Sequence, residues 1–189
     1  MDASEMIDQY FEMDEEELKD SLPQLLDTVE GNVQALVEER EDDVPRLLRK
    51  LDETDVEEFA NDAPEVAERF QDFLWEATAE LIERNEELKQ NITTSATVNF
   101  EADDSPMQGH LEVDADQQTI TGGAGSLDDA QLHVTGPSNV LAGMLTGSTD
   151  PVQGFMAGEF EMDGEVDKGM ELAQVMTPIN QKLASLDEE

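Results

Sequence analysis

The sequence predicts an α+β fold, with a mixed or antiparallel sheet covered by helices and preceded by an all-helical N-terminal region. Two patterns lead to this prediction. Before residue 91, apolar side chains recur every three or four positions, which is typical of helices that bury one face. After residue 91, apolar and polar side chains alternate in several short runs, which is typical of strands with one buried face. We therefore divide the 189 residues into a helical region, residues 1–90, and a second domain, residues 91–189.

The helical region is predicted to begin and end with amphipathic helices. Met6, Ile7, Tyr10 and Phe11 share one face of the first helix, for which Ser4 is the expected N-cap. The last and longest helix carries an apolar stripe at helical spacing. This stripe, with the single tryptophan Trp75 beside it, comprises Val66, Phe70, Phe73, Leu74, Ala77, Leu81, Ile82 and Leu88.

Three segments of the helical region contain proline in a similar sequence context. Residues 22–26 and 44–48 share the form apolar-Pro-x-Leu-Leu, and residues 63–66 are a looser copy. Because proline suits the first turn of a helix, we predict a helix start at each of the three prolines. Thr54 and Glu57 are predicted to form a capping box for one further helix.

Three strands are predicted between residues 98 and 134. The run Gly122-Gly123-Ala124-Gly125 is interpreted as a turn, because it lacks the glycine spacing of a dinucleotide-binding loop. The apolar positions of the three strands are Val98 and Phe100, Leu111 and Val113, and Leu132 and Val134.

Two short helices are predicted to follow the strands. Ser138 is the expected N-cap of a helix over residues 139–146, and Gly147 is suited to its C-terminal end. Asp150 and Pro151 then provide an N-cap and a first helical residue for the second helix.

A strand and a last helix complete the chain. Phe160 and Met162 alternate with acidic residues, so residues 158–163 are predicted to form a half-buried strand. Gly164 is expected to turn the chain into the last helix, which Pro178 would kink or divide.

The most specific motif runs from Gly147 to Gly164 and reads G-x-x-D-P-x-x-x-F-M-x-G-x-x-x-x-x-G. Together with the succession of strands and helices over residues 91–183, it resembles the sterol carrier protein 2 (SCP2) family. The resemblance implies an SCP2-like fold that binds or transfers lipids in an apolar tunnel, with no catalytic centre and no cofactor. On this basis we expect a noncatalytic lipid carrier and not an enzyme.

The resemblance also implies which residues would form the tunnel wall. Methionine is flexible and polarizable, so methionines in the last third of the chain suit varied apolar ligands. Ordinary core packing explains each of these positions equally well, and both readings stay open here. The expected ligand contacts are Leu141, Met144, Leu145, Phe155, Met156, Phe160, Met162, Met170, Ala173 and Met176.

The chain is extremely acidic, with 48 acidic and 10 basic residues and a net charge of −38. The charge is spread over both halves, and molar salt, at which the Debye length is about 3 Å, screens the resulting repulsion. We therefore predict a cytoplasmic protein of a salt-accumulating halophile. An archaeal source would favour isoprenoid or fatty acyl chains over sterols as ligands. The shortage of basic residues argues against nucleic acid binding.

Residues for other chemistry are scarce. The chain has no cysteine, and His110 and His133 fall on polar strand faces without the spacing of a metal site. The acidic run from Asp114 departs from a calcium loop at Thr119 and Gly125. No apolar run approaches about 18 residues, so neither a membrane span nor a signal peptide is expected.

For the helical region, we recognise no resemblance to a known family in the sequence. It is interpreted as an extension that packs on the second domain or forms a homodimer, or alternatively as a lid or a docking module. The second functional hypothesis is therefore an accessory or dimerisation protein whose helical half docks a partner enzyme.

Overall fold

The computed structural model describes residues 3–186 and confirms the α+β class. The N-terminal helices of this part of the chain are α1 (Ala3–Glu12), α2 (Glu15–Val29), α3 (Val33–Glu39), α4 (Asp43–Asp52), α5 (Val56–Asp62), α6 (Pro64–Arg84) and α7 (Glu86–Gln90). They are followed by β1 (Ala96–Ala102), β2 (Gln108–Asp114), β3 (Thr119–Ala124), β4 (Leu132–Gly136), α8 (Ser138–Thr146), α9 (Pro151–Ala157), β5 (Glu161–Gly164) and α10 (Val166–Leu186).

The strands form a mixed sheet in the order β3-β2-β1-β4-β5, with β1 and β4 parallel and the other pairs antiparallel. The register places Val98 of β1 between Leu111 of β2 and Leu132 of β4. Two residues further along, Phe100 lies opposite Val134. One face of the sheet is therefore apolar across neighbouring strands, and the predicted strands around these residues are confirmed as β1, β2 and β4.

The glycine run at residues 122–125 was expected to be a turn, and this prediction is wrong, because Gly122 to Ala124 belong to β3. Helix α6 makes its most extensive contact with this strand. A Cβ atom on Gly122 would lie 2.6 Å from Cδ2 of Trp75, so a glycine is needed for the helix to approach this closely. The Asp72 carboxylate accepts a hydrogen bond from the Ala124 N–H at 2.7 Å, at the edge of the sheet.

The three prolines of the helical region do not occupy equivalent positions. Helix α2 begins after Asp14, whose carboxylate accepts a hydrogen bond from the Glu17 N–H at 3.0 Å. Pro23 therefore lies inside α2, and the helix start predicted there is wrong. Pro45 lies in the first turn of α4 and Pro64 is the first residue of α6, so these two helix starts are confirmed.

Two predicted caps in this region are also wrong. Ser4 lies within α1. The N-cap of α5 is Asp55, which accepts a hydrogen bond from the Glu58 N–H at 3.2 Å, and not Thr54. The stripe of the long helix is buried or half-buried along α6, except that its last member, Leu88, belongs to α7.

The helix start at Asp150 and Pro151 is confirmed. The Asp150 carboxylate accepts hydrogen bonds from the N–H groups of Val152 and Gln153 at 2.9 and 3.0 Å. Gly147 ends α8 in the left-handed conformation, with φ of 88°, which an L-amino acid side chain disfavours.

Three other expectations for the C-terminal half need correction. Ser138 is the first residue of α8, Pro137 holds the N-cap position, and the Ser138 N–H donates to the Asp104 carboxylate at 2.9 Å. Strand β5 starts after Phe160 and is shorter than predicted. Pro178 does not divide the last helix, because α10 continues through it.

The helical region and the sheet contribute to the same buried apolar cluster. The division of the chain at residue 90 stays a prediction.

Candidate functional site

A cavity of about 140 Å³ lies between the apolar face of the sheet and the helices that cover it. The strand alternation creates the sheet side of the cavity, because every second side chain points to the same face. Glycine at position 109 leaves room for the side chain of Gln71, which approaches from α6. The sheet contributes Val98, Phe100, Gly109, Leu111, Leu132, Val134 and Met162.

A second wall comes from the N-terminal helices. On α6 the lining residues recur at intervals of three, one, three and one, which places them on a single helical face. Helices α4 and α5 close the wall beside α6. The residues of this wall are Leu51, Val56, Phe59, Ala67, Phe70, Gln71, Leu74 and Trp75.

The third wall is built by α8, the start of α9, the residue before β5 and α10. Gly169 allows α10 to lie close to the sheet, since a Cβ atom there would be 2.8 Å from Cδ2 of Leu132. The wall consists of Leu141, Ala142, Met144, Leu145, Pro151, Phe160, Gly169, Leu172, Ala173 and Met176.

The chemistry of the cavity is almost entirely that of hydrocarbon and thioether groups. Among the described residues that line it, none carries a charge, and Gln71 supplies the one side-chain amide. Such a site can remove an apolar chain from water, which contributes about 0.8 kcal/mol for each CH₂ group. The described lining residues include no nucleophile next to a general base, the arrangement that covalent or acid–base catalysis requires.

Most of the expected ligand contacts come together in this cavity. The seven residues that line it are Leu141, Met144, Leu145, Phe160, Met162, Ala173 and Met176.

The other three expected contacts lie outside the lining. Phe155 packs on Phe160, with ring centroids 6.3 Å apart. Met156 is 81% exposed, and Met170 is half-buried on α10. Of the seven residues of α9, Pro151 belongs to the lining, whereas Phe155, one turn further along the same face, packs on Phe160 instead.

Sequence reasoning missed the wall formed by the N-terminal helices. The apolar stripe on α6 was visible, but it did not indicate which surface the stripe would contact. The sequence did contain a signal for this contact. The apolar stripe of α6 occurs in the same chain as glycines at positions 109 and 122, where the strands carry no side chain. Such glycines mark a close approach of another element.

Polar contacts outside the cavity fix the walls relative to one another. The Asn139 side-chain amide of α8 donates to the Asp55 carboxylate at 3.2 Å, and its oxygen accepts from the Val56 N–H at 2.8 Å. The hydrogen bond from the Glu58 N–H, followed by the one from Asn139, lowers the pKa of Asp55 below its ordinary value. An ionised Asp55 therefore holds α5 against α8.

Other binding chemistry has little support in residues 3–186. No cluster of His, Cys, Asp and Glu suited to a metal ion occurs among these residues. His110 Nδ1 lies 3.1 Å from the Gly125 carbonyl oxygen, and His133 is exposed. None of the helices in this part of the chain has the length and apolar character needed to cross a membrane.

The sequence matches the family model described as the SCP-2 sterol transfer family over residues 79–177. This segment begins inside α6 and ends inside α10. No curated protein matches the chain.

Several solved structures are similar to parts of the chain. A conserved hypothetical protein from Thermus thermophilus is 13% identical, with 58% of this chain and 83% of that one covered and a TM-score of 0.47. Sterol carrier protein 2 from Yarrowia lipolytica is 14% identical, with coverage of 61% and 92% and a TM-score of 0.42. The sec-alkylsulfatase Pisa1 from Pseudomonas sp. is 18% identical over 55% of this chain, with a TM-score of 0.43, and only 16% of the sulfatase is covered.

Proposed function

Because this chain belongs to the SCP-2 sterol transfer family, we propose that it binds a lipid in the cavity and carries it without chemical conversion. The observation that supports this function best is a cavity between three apolar walls, with no charged side chain among the described residues that line it. A chain with about ten buried CH₂ groups would gain several kcal/mol of binding free energy, even after the loss of its conformational freedom.

The ligand we propose is a flexible isoprenoid or fatty acyl chain in preference to a rigid sterol. At about 140 Å³ the cavity is smaller than the roughly 300–1,000 Å³ typical of sites that enclose drug-sized ligands, so it must widen on binding. Four methionines line it, and their side chains can adopt new rotamers at little cost. A flexible chain can fill the space as these side chains move, whereas a fused ring system needs a large preformed volume. The lining methionines are Met107, Met144, Met162 and Met176.

Native mass spectrometry can test whether the protein carries lipid. The protein is purified in molar KCl, analysed directly, and analysed again after extraction with organic solvent. We expect an additional mass that extraction removes and that matches an apolar chain. A protein that is empty after purification, and that also fails to take up added chains, would contradict the proposed function.

Uptake can be followed through the single tryptophan, because Trp75 lines the cavity. A brominated alkyl chain that enters the cavity should quench Trp75 fluorescence, since bromine quenches an indole ring that it contacts. An equal concentration of bromide ion in the same buffer is the control for quenching from solvent. If bromide ion quenches Trp75 fluorescence and the brominated chain does not, the chain does not enter the cavity.

An accessory protein that docks a partner is the second candidate. Val152 and Met156 favour it, because they expose apolar side chains on α9, 37% and 81% respectively. The same native mass spectra would report the stoichiometry of the protein. An empty cavity together with a stable complex would support this candidate over the lipid carrier.

A further inference from the structure

Among the described residues of the cavity wall, one side-chain amide occurs, that of Gln71 on α6, outside the segment that matches the family. Gln71 is half-buried, and its Nε2 lies 3.5 Å from the Gly123 carbonyl oxygen, at the outer limit of a hydrogen bond. A Cβ atom on Gly109 would lie 2.0 Å from the same nitrogen. The missing side chain at position 109 therefore leaves the space that the amide occupies, and the weak bond to Gly123 leaves the amide largely available to a ligand.

Gln71 also stands at the border between the apolar cavity and a smaller recess of about 10 Å³. A recess of this size holds roughly one water molecule. Its other lining residues include Pro64 and Glu68, which are exposed. The amide therefore occupies the place where a ligand's polar end can stay near water while its apolar part is buried.

The charge around this position selects against an anionic group. None of the lysines, arginines or histidines of the described residues lines the cavity or the recess, and the charged residue that lines the recess together with Gln71 is Glu68. A ligand carboxylate would lose water without gaining a cation, which disfavours its ionised form. An amide can donate to and accept from an uncharged oxygen group.

We propose that Gln71 binds the polar end of the ligand, and that this end is an uncharged oxygen group such as an alcohol, ketone or ester. This inference rests on the proposed lipid binding and narrows it to neutral lipids. A free fatty acid, whose polar end is a carboxylate, is not expected to bind in this way.

The test uses the full chain in molar KCl at neutral pH and the displacement of Nile red, an uncharged dye. Dodecanol, dodecanoate and dodecane share the same chain and differ at one end. For the wild-type protein, we expect dodecanol to displace the dye at a lower concentration than dodecanoate. Equal or tighter binding of dodecanoate would overturn the assignment without any variant.

The variant Gln71→Leu then removes the amide and keeps the apolar volume. We expect the affinity for dodecanol to fall about fivefold, the effect of one ordinary hydrogen bond, while the affinity for dodecane does not fall. Gln24→Leu, on the exposed face of α2, is the matched control and should change neither affinity. If Gln71→Leu binds the dye and dodecanol as the wild type does, the role of Gln71 is wrong and lipid binding stands.

The two proposals fail in different ways. If the folded wild-type protein binds neither Nile red nor any of the three chains, lipid binding itself is wrong and the neutral end group with it. If all three chains bind but show no dependence on the end group or on Gln71, only the present inference is overturned.

Discussion

The indole ring of Trp75 lies directly on Gly122, so that a Cβ atom at position 122 would come within 2.6 Å of the ring atom Cδ2. The same Cβ atom would lie 2.8 Å from the backbone oxygen of His110, which cannot move aside as a side chain could. This contact joins α6 to β3, and Trp75 also lines the cavity.

Gly122→Ala should therefore destabilise the protein by about 1–3 kcal/mol, the usual effect of overfilling a packed interior. Urea unfolding in molar KCl would measure the change. The matched control is Thr121→Ala, because Thr121 is exposed on the same strand. Similar unfolding midpoints for the two variants would show that α6 does not press on β3 as described.

Ala173→Phe should fill part of the cavity and reduce the uptake of alkyl chains. Ala173 is 5% exposed and lines the cavity on α10, so a larger side chain there competes with the ligand for space. We expect the apparent affinity for a brominated alkyl chain, measured from the concentration dependence of Trp75 quenching, to be at least tenfold weaker, equivalent to roughly 1.4 kcal/mol.

Ala184→Phe is the control for this substitution, because Ala184 is exposed on the same helix. The two variants carry the same chemical change and differ in whether it faces the cavity. Unchanged uptake in a folded Ala173→Phe protein would place the ligand elsewhere.

The stability of the protein should fall at acidic pH partly through Asp55. The pKa of this carboxyl is lowered in the folded state, mainly by the hydrogen bond from the Glu58 N–H and then by Asn139. Its stabilisation is therefore fully present above the unfolded value of about 3.9 and is lost as the pH falls through the lower folded value. Asp55→Asn should lose less stability than the wild type over this range, as measured by urea midpoints.

Glu57→Gln is a suitable control, since Glu57 is exposed on the same helix. It should keep the acid dependence of the wild type. If Asp55→Asn and the wild type lose stability in parallel below pH about 4, ionised Asp55 does not hold α5 and α8 together.

Added KCl should raise the free energy of unfolding. Repulsion among 48 acidic groups is only partly balanced by 10 basic groups. Salt also weakens exposed ion pairs, such as those of Arg69 with Asp27 and Glu30, but each exposed pair contributes at most about 1 kcal/mol. The Debye length falls from about 10 Å at 0.1 M to about 3 Å at 1 M, so relief of repulsion should dominate.

Thermal unfolding across a KCl series measures this effect. A series of sucrose solutions separates charge screening from general exclusion of cosolute, because sucrose carries no charge. A melting temperature that falls as KCl is added would contradict the halophilic interpretation of the surface.

The parts of the fold that the sequence predicted well are those set by neighbouring residues. The alternation around Val98, Leu111 and Leu132 is local, and so is the cap that Asp150 provides for α9. Pro23 shows the opposite case. Its place inside α2 follows from a capping box at Asp14, nine residues earlier, which dominates over the preference of proline for a first turn.

The candidate site was harder to predict because it depends on contacts between distant segments. Gly122 belongs to a glycine-rich run whose composition is typical of a turn. Only the approach of Trp75, 47 positions earlier, explains why a glycine occurs in that strand. Phe155 and Met156 have the same apolar character as Phe160. Whether they line the cavity as Phe160 does depends on how α9 packs against α10 and Phe160, and periodicity over seven residues does not determine this.

The two edges of the sheet have consequences for how the protein behaves at high concentration. At β3, helix α6 covers the strand, and the Asp72 carboxylate accepts a hydrogen bond from the Ala124 N–H. At β5, the strand is four residues long and carries the exposed acidic residues Glu161 and Asp163. An uncovered strand edge is a template for pairing with another chain, and short length and like charge oppose such pairing. Detachment of α6 would therefore open a route to aggregation at β3, whereas the β5 edge resists it without a cover.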